Sequence, residues 1–394
     1  MSDNLAFEPN YDEDKIPDYA LPEVLEGVDS AEAWPAKRAQ WRGLIAREMF
    51  GTLPASFENV KAKSRLAAPD KKILNGKGIL RQLVVELAGQ DLNVALFLPV
   101  ASASDPVPVF IGYNFSGNHT VFDDPDIILT DSWMRKTKDH RSSAEDRGKS
   151  EDRWAIDQII AGGFGLVTLY YGDVDPDFDD GFENGVHSEL GAPDTNEAAS
   201  IATWSWALSR ILDVLDSSVD EVDATRVAVF GHSRLGKTSL WAGASDDRFA
   251  LVISNNSGCG GAALSRRRIG ETVGRITSSF PHWFCGNFTK YSNNEDALPF
   301  DNHTLLSLIA PRPLYVASAE GDKWADPKGE FLSCLHADPV YRMLGTAGLP
   351  AKEMPAVHVP VQGQIGYHIR EGAHGVTDYD WEQYLKFAQK HLIP

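Results

Sequence analysis

Arg226-Val-Ala-Val-Phe-Gly-His-Ser-Arg-Leu-Gly-Lys237 decides the fold class of this chain. Val227 to Phe230 is a short apolar run rich in β-forming residues. Gly231, Ser233 and Gly236 follow at once and lead into a helix-forming sequence. A strand that stops abruptly and turns into a helix holds Ser233 on the sharp turn between them. Hydrolases present a nucleophilic serine in this way. The turn lifts its Oγ clear of the sheet, and the helix N-terminus behind it favours developing negative charge. The common signature is Gly-x-Ser-x-Gly, but here Leu235 stands where the second glycine is expected and Gly236 comes one place late.

The same grammar repeats on both sides of this segment. Leu80 to Leu87 and Leu92 to Leu98 read as strands joined by the hairpin turn Ala88-Gly-Gln-Asp91. Further strands are expected at Val107 to Tyr113, Gly165 to Tyr171, Leu251 to Ser254 and Leu314 to Ala317, then at Ala356 to Val361 and Ile365 to Arg370. Helices are expected from Ser30, an N-cap, to Phe50, at Ala155 to Ala161, at Asn196 to Leu215, after Ser233, and from Thr377 to His391, with Asp380 completing a capping box. Short, nearly all-apolar strands alternating with helices indicate a mostly parallel sheet covered on both faces. The expectation is an α/β-hydrolase fold, doubly wound, with an antiparallel hairpin at its start. Residues 1–30 read as an irregular arm, 31–394 as one catalytic domain, and the polar stretch 119–152 as a surface insertion.

Composition narrows the function. The chain has 394 residues, 43% of them hydrophobic, which supports a large core. Its net charge of −19 argues against nucleic acid, whose phosphates need clustered Lys and Arg. The acidic clusters at Asp123-Asp124, Asp173 to Asp180 and Asp220 to Asp223 read mostly as solvated surface. No apolar run is long enough for a membrane span, and no signal peptide is visible, which leaves the compartment open. Cys259, Cys285 and Cys334 lack Cys-x-x-Cys spacing, so no zinc site is expected. One internal bridge, Cys259 to Cys334, is allowed, with buried free thiols as the plainer reading.

A serine hydroxyl needs a base within hydrogen-bond reach and a group that orients the base. In doubly wound hydrolases these follow in the order serine, acid, histidine on later loops. His374, in Glu371-Gly-Ala-His-Gly-Val376, sits between the last strand and the final helix, where the base belongs. His358 and His368 fall in expected strands and His391 near a helix end, so these read as structural. His232 is expected to pack under the turn. The acid should follow the strand Leu314 to Ala317, in Glu320-Gly-Asp-Lys-Trp-Ala-Asp326. Asp322 is best placed, with Glu320 and Asp326 as competitors in the same loop. The loop after the preceding strand offers only Asn255-Asn256-Ser257-Gly258, and asparagine cannot stabilise an imidazolium by charge.

Taken together, these residues resemble the glucuronoyl esterases of carbohydrate esterase family 15, particularly the bacterial branch. Gly231 to Lys237 is similar to that family's nucleophile motif, the displaced glycine included. The likeness continues through Ser254 to Leu264, Arg266 to Thr272, Ser279 to Phe284, Glu320 to Asp326 and Gly372 to Gly375. The resemblance implies a triad of Ser233, His374 and Asp322. It implies an oxyanion held by Arg234 and nearby backbone N–H, with sugar hydroxyls read by Lys237, Glu271 and Trp324. Some family members carry a glutamate at the position of Asn256, so here Asp322 would be left alone in the acid role.

The activity implied by this resemblance is that of a serine esterase acting on esters of (4-O-methyl-)glucuronic acid on xylan, as in lignin–carbohydrate linkages. No cofactor or metal, nucleic acid or membrane partner is expected, and the chain is expected to act as a monomer. An acetyl xylan esterase and a non-catalytic carbohydrate-binding protein on the same scaffold are the alternatives.

Overall fold

A computed structural model describes residues 7–393. Met1 to Ala6, the start of the expected N-terminal arm, lie outside the described residues. Ten strands form one sheet: β1 (Lys63–Ile73), β2 (Gly78–Leu87), β3 (Gln90–Pro99), β4 (Val107–Asn114), β5 (Gly165–Tyr170), β6 (Val222–His232), β7 (Phe249–Asn255), β8 (Leu314–Ala319), β9 (Val361–Gln362) and β10 (Ile365–Arg370). Their order is β1-β2-β3-β5-β4-β6-β7-β8-β10-β9. From β5 across to β10 neighbouring strands are parallel, while β1, β2 and β3 join antiparallel at one edge and β9 at the other. This is the expected α/β-hydrolase architecture. The β2–β3 turn works because Ala88 (φ 46°) and Gly89 (φ 73°) both take positive φ, which matches the twist of the strands they join.

Alternation along β6 shows why the sheet is doubly covered. Val227 and Val229 pack into one core with Leu208, Leu212 and Trp241, from the helices Ser200–Ser218 and Arg234–Ser245. Ala228 and Phe230 point the other way, into a second core with Ile159, Trp381, Tyr384 and Phe387 from the helices Ile156–Ala161 and Asp378–Leu392. Thr377 and Asp380 form the expected capping box of the last helix, with the Thr377 N–H donating to Asp380 Oδ2 at 2.7 Å.

Several expectations need correction. The strand Ala356 to Val361 shrinks to Val361–Gln362, because Pro355 and Pro360 lack ladder donors and His358 turns through φ 62°. The first helix is regular only over Trp34–Ile45 and ends in a widened turn at Ala46–Phe50. Strand β1 has no apolar period, and the helix Pro327–Met343 carries a mixed polar and apolar stripe, burying Glu330, Ser333, Cys334, Ala337, Val340 and Tyr341. β1 is a polar edge strand interrupted by Pro69, and such an edge is kept charged to discourage pairing with other chains. All three cysteines are buried free thiols, the plainer of the two readings, and Cys259 and Cys334 are not bridged.

Candidate active site

The turn after β6 places Ser233 at φ 58° and ψ −128°, a conformation an L-residue adopts only under strain, at a cost of roughly 1–3 kcal/mol. Its N–H donates to Asn255 O at 2.9 Å, which ties the turn to the end of β7. The late glycine has a steric cause. A Cβ on Gly231 would lie 1.8 Å from Leu235 O, and one on Gly236 would lie 2.9 Å from Ser257 Cβ. The helix crosses that close to β6 and the β7 loop, so glycine is needed at 236 and Leu235 is free to enter the core.

His374 sits on the loop after β10, and Asp322 on the loop after β8. His374 Nδ1 bonds Asp322 Oδ2 at 2.6 Å. Asn256 Nδ2 donates to the same oxygen at 2.7 Å. Burial pushes the Asp322 carboxyl up, but the hydrogen bond and charge of His374 and the bond from Asn256 outweigh it and hold the acid ionised. Asn256 thus braces the Asp322 carboxylate. Of the competitors, Glu320 is exposed, and Asp326 caps the helix Pro327–Met343 while pairing with Arg267 at 2.7 Å.

Ser233, Arg234 and His374 line one cavity of about 370 Å³. Among the described residues no hydrogen bond joins Ser233 to His374, a looseness common in sites without substrate. His232, expected to pack under the turn, instead forms part of the wall of this cavity, against His374. It is buried, its ring lies 4.4 Å from that of His374, and its Nδ1 bonds Asn255 Oδ1 at 2.6 Å. Burial, then the neighbouring His374, pushes its pKa down to about 3, so it stays neutral. The base loop is pinned by Arg370, whose guanidinium donates to the carbonyls of Glu371 (2.9 Å), Ala373 (3.2 Å) and Gly375 (2.7 Å) while bonding Asp380 at 2.7 Å.

Arg234 lies over Trp283 (4.7 Å), Phe280 (5.6 Å) and Phe115 (5.6 Å) and pairs with Asp177. Asp177 is fully buried and also accepts from His282 (2.9 Å), Trp283 (2.7 Å) and Tyr171 (2.8 Å). Burial would raise its pKa, but the His282 bond, the Arg234 charge and the Trp283 N–H hold it well below the carboxylate range. Here the reading of Asp173 to Asp180 as solvated fails: Asp173, Asp175 and Asp177 are all buried. Their position directly after β5, at the carboxyl end of the sheet, was the available signal.

Lys237 is 3% exposed, with its ammonium donating to Ser257 O at 2.6 Å. Burial lowers its pKa and Glu271 partly offsets this. Burial likewise raises Glu271, which Lys237, Trp324 and Arg234 oppose. Trp324 is half-buried, stands edge-on to Phe7 at 6.0 Å, and its carbonyl accepts the Glu271 N–H at 3.1 Å. These three lie together, and Arg234, which lines the cavity of Ser233, is close enough to act on the charges of Lys237 and Glu271. Among the described residues no cluster of metal-ligating side chains occurs, and no helix is long and apolar enough to cross a membrane.

Residues 167–345 match the family model for fungal glucuronyl esterases. Over 97% of its length the chain is 45% identical to "Carbohydrate esterase MZ0003" from an unknown prokaryotic organism, covering 92% of that protein. It is 32% identical to 4-O-methyl-glucuronoyl methylesterase 1 of Wolfiporia cocos, over 86% of this chain and 74% of the relative. The solved glucuronoyl esterase from Solibacter usitatus superposes with a TM-score of 0.89 at 42% identity, over 96% of this chain and 99% of that one. Fold, elbow and relatives agree, and the chain belongs to the glucuronoyl esterases of carbohydrate esterase family 15.

Proposed function

We propose that this carboxylic ester hydrolase cleaves esters of glucuronic acid carried on xylan, with Ser233, His374 and Asp322 as its triad. The observation that carries the reading is the 2.6 Å His374–Asp322 bond at a cavity shared with a serine held on a strained elbow. His374, oriented by Asp322, takes the Ser233 proton as Oγ attacks the uronoyl carbonyl. Negative charge develops on the carbonyl oxygen, beside the Arg234 guanidinium and the helix N-terminus. One such preorganised donor lowers the barrier by about 3 kcal/mol. The alcohol leaves with the proton from His374, and water then hydrolyses the acyl-enzyme with the same roles reversed. Lys237, Glu271 and Trp324 would bind the uronate sugar, with Lys237 offering donors, Glu271 acceptors and Trp324 a ring face. No step calls for a cofactor, and a monomer suffices, since every group named comes from one chain.

Turnover of benzyl glucuronate compared with acetate release from acetylated xylan tests this. Faster release of acetate would overturn the choice of substrate. A serine-reactive acyl probe that failed to label Ser233 would overturn the catalytic reading itself.

A further inference from the structure

The cavity beside Ser233 is cationic in an acidic protein. Five basic side chains, Arg135, Lys136, Lys149, Arg153 and Arg234, line it against one carboxylate, Asp152, while the whole chain carries −19. Asp177 pairs with both Arg234 and Arg135 (3.4 Å to the latter), Asp146 pairs with Lys149, and Asp152 is the one carboxylate on the wall. Two positive charges are left. Lys136 and Arg153 are exposed and, among the described residues, pair with no carboxylate.

Arg135 and the backbone around Lys149 are held in place. Arg135 donates to Asp177 O at 2.8 Å and lies over Phe280 at 4.9 Å. The segment before Lys149 is tied down by Gly148 N to His119 O (2.9 Å), and Ser150 N bonds Thr120 O at 2.8 Å. Arg147 clamps the loop by donating to Asp124 O (2.7 Å) and Ile127 O (2.8 Å). Between the charges the wall is apolar, with Phe115, Met134 and Trp154. A volume of about 370 Å³ holds a substituted aromatic ring.

We propose that this cavity is the subsite for the alcohol half of the ester and selects aromatic alcohols bearing a carboxylate. The inference rests on the functional reading above: with the uronate on the side of Lys237, Glu271 and Trp324, the alcohol faces the cavity. Clustered cations in a concave wall concentrate anions there, an effect that salt screens.

The test compares the benzyl, 4-carboxybenzyl and 4-(aminomethyl)benzyl esters of glucuronic acid. At low ionic strength kcat/KM for the carboxybenzyl ester should exceed that for the benzyl ester by about fivefold or more, with the aminomethyl ester lowest. The gap should narrow with added salt, and in Lys136→Ala/Arg153→Ala the ratio should fall toward about one. Equal rates for the three esters in an active enzyme would overturn the subsite while leaving the esterase reading intact. Binding of 4-(hydroxymethyl)benzoate by calorimetry gives a readout independent of turnover. Binding that weakens in the double variant supports the subsite, and no binding to the native protein overturns it.

Discussion

Replacing Asp177 by asparagine tests whether a buried carboxylate holds the Arg234 guanidinium beside the serine. The two side chains share a shape, but the amide has one acceptor oxygen and one NH2 donor. In the native site Oδ1 accepts from His282 at 2.9 Å and Trp283 at 2.7 Å, and Oδ2 accepts from Tyr171 at 2.8 Å and from Arg234. Either orientation of the amide sets its NH2 against a group that can only donate, the Trp283 indole N–H or the Arg234 guanidinium. Arg234, with 14% of its side chain exposed, also loses its charge partner. Breaking a buried pair by removing one member costs about 3–5 kcal/mol. The three aromatic rings around Arg234 favour the lower end. A chain of 394 residues unfolds with an entropy of about 0.8 kcal/mol/K, so a loss of about 3 kcal/mol lowers Tm by about 4 °C. Turnover should fall further, by roughly 10²–10³-fold, as an oxyanion donor is displaced.

Calorimetric unfolding and kcat on benzyl glucuronate at pH 7 measure both. The pH dependence adds a signed check. A carboxyl depressed in the folded state contributes stability above its unfolded pKa of about 3.9 and loses it as pH falls toward the folded value. The Tm gap between native protein and variant should therefore be full at pH 7 and shrink below about pH 4. A variant with kcat within about twofold of native and an unchanged Tm would refute the role given to Asp177.

Four further substitutions carry expected outcomes. Asp322→Asn should lower kcat by roughly 10³–10⁴-fold, because the wrong histidine tautomer is then stabilised, and Asn256→Ala should lower it far less; steady-state kinetics on the benzyl ester measures both. Near-normal activity of Asp322→Asn would move the acid to another residue, although Asp326 is committed to Arg267 and Glu320 points to solvent. Arg370→Gln, which releases three carbonyls of the His374 loop, should cost about tenfold or more in kcat with little change in KM, and a change confined to KM would refute its positioning role. Lys237→Met should raise KM for a glucuronate ester by about tenfold and raise it less for a simple acetate ester, since in the role proposed for it the substitution removes a charged hydrogen bond to the sugar.

Much of this architecture was legible because its signals are local. The elbow at Gly231 to Gly236, the Ala88-Gly89 turn and the Thr377/Asp380 cap each depend on a few neighbouring residues and their φ/ψ preferences. The apolar strands β4 to β8 announce themselves because both faces are buried. Edge strand β1 did not, since its residues are half-exposed and need no apolar period. The pair Ala356 to Val361 looked like a strand by composition, and two prolines prevented it.

By itself, then, the sequence determined the hydrolase elbow, the central parallel strands with the helices between them, and the loops that carry the residues proposed as nucleophile, base and acid. Those depend on chain order and on turn chemistry that acts over a handful of residues. Only the tertiary structure decided that Asn256 braces Asp322, that Asp177 lies buried beneath Arg234 rather than on the surface, and that the Lys237 ammonium bonds the Ser257 carbonyl. Each joins loops far apart in the chain: Asp177 meets Arg234 across 57 residues, and Asn256 meets Asp322 across 66. A charge is worth burying only when distant donors converge on it, and that convergence is a property of the packed sheet and not of any local pattern.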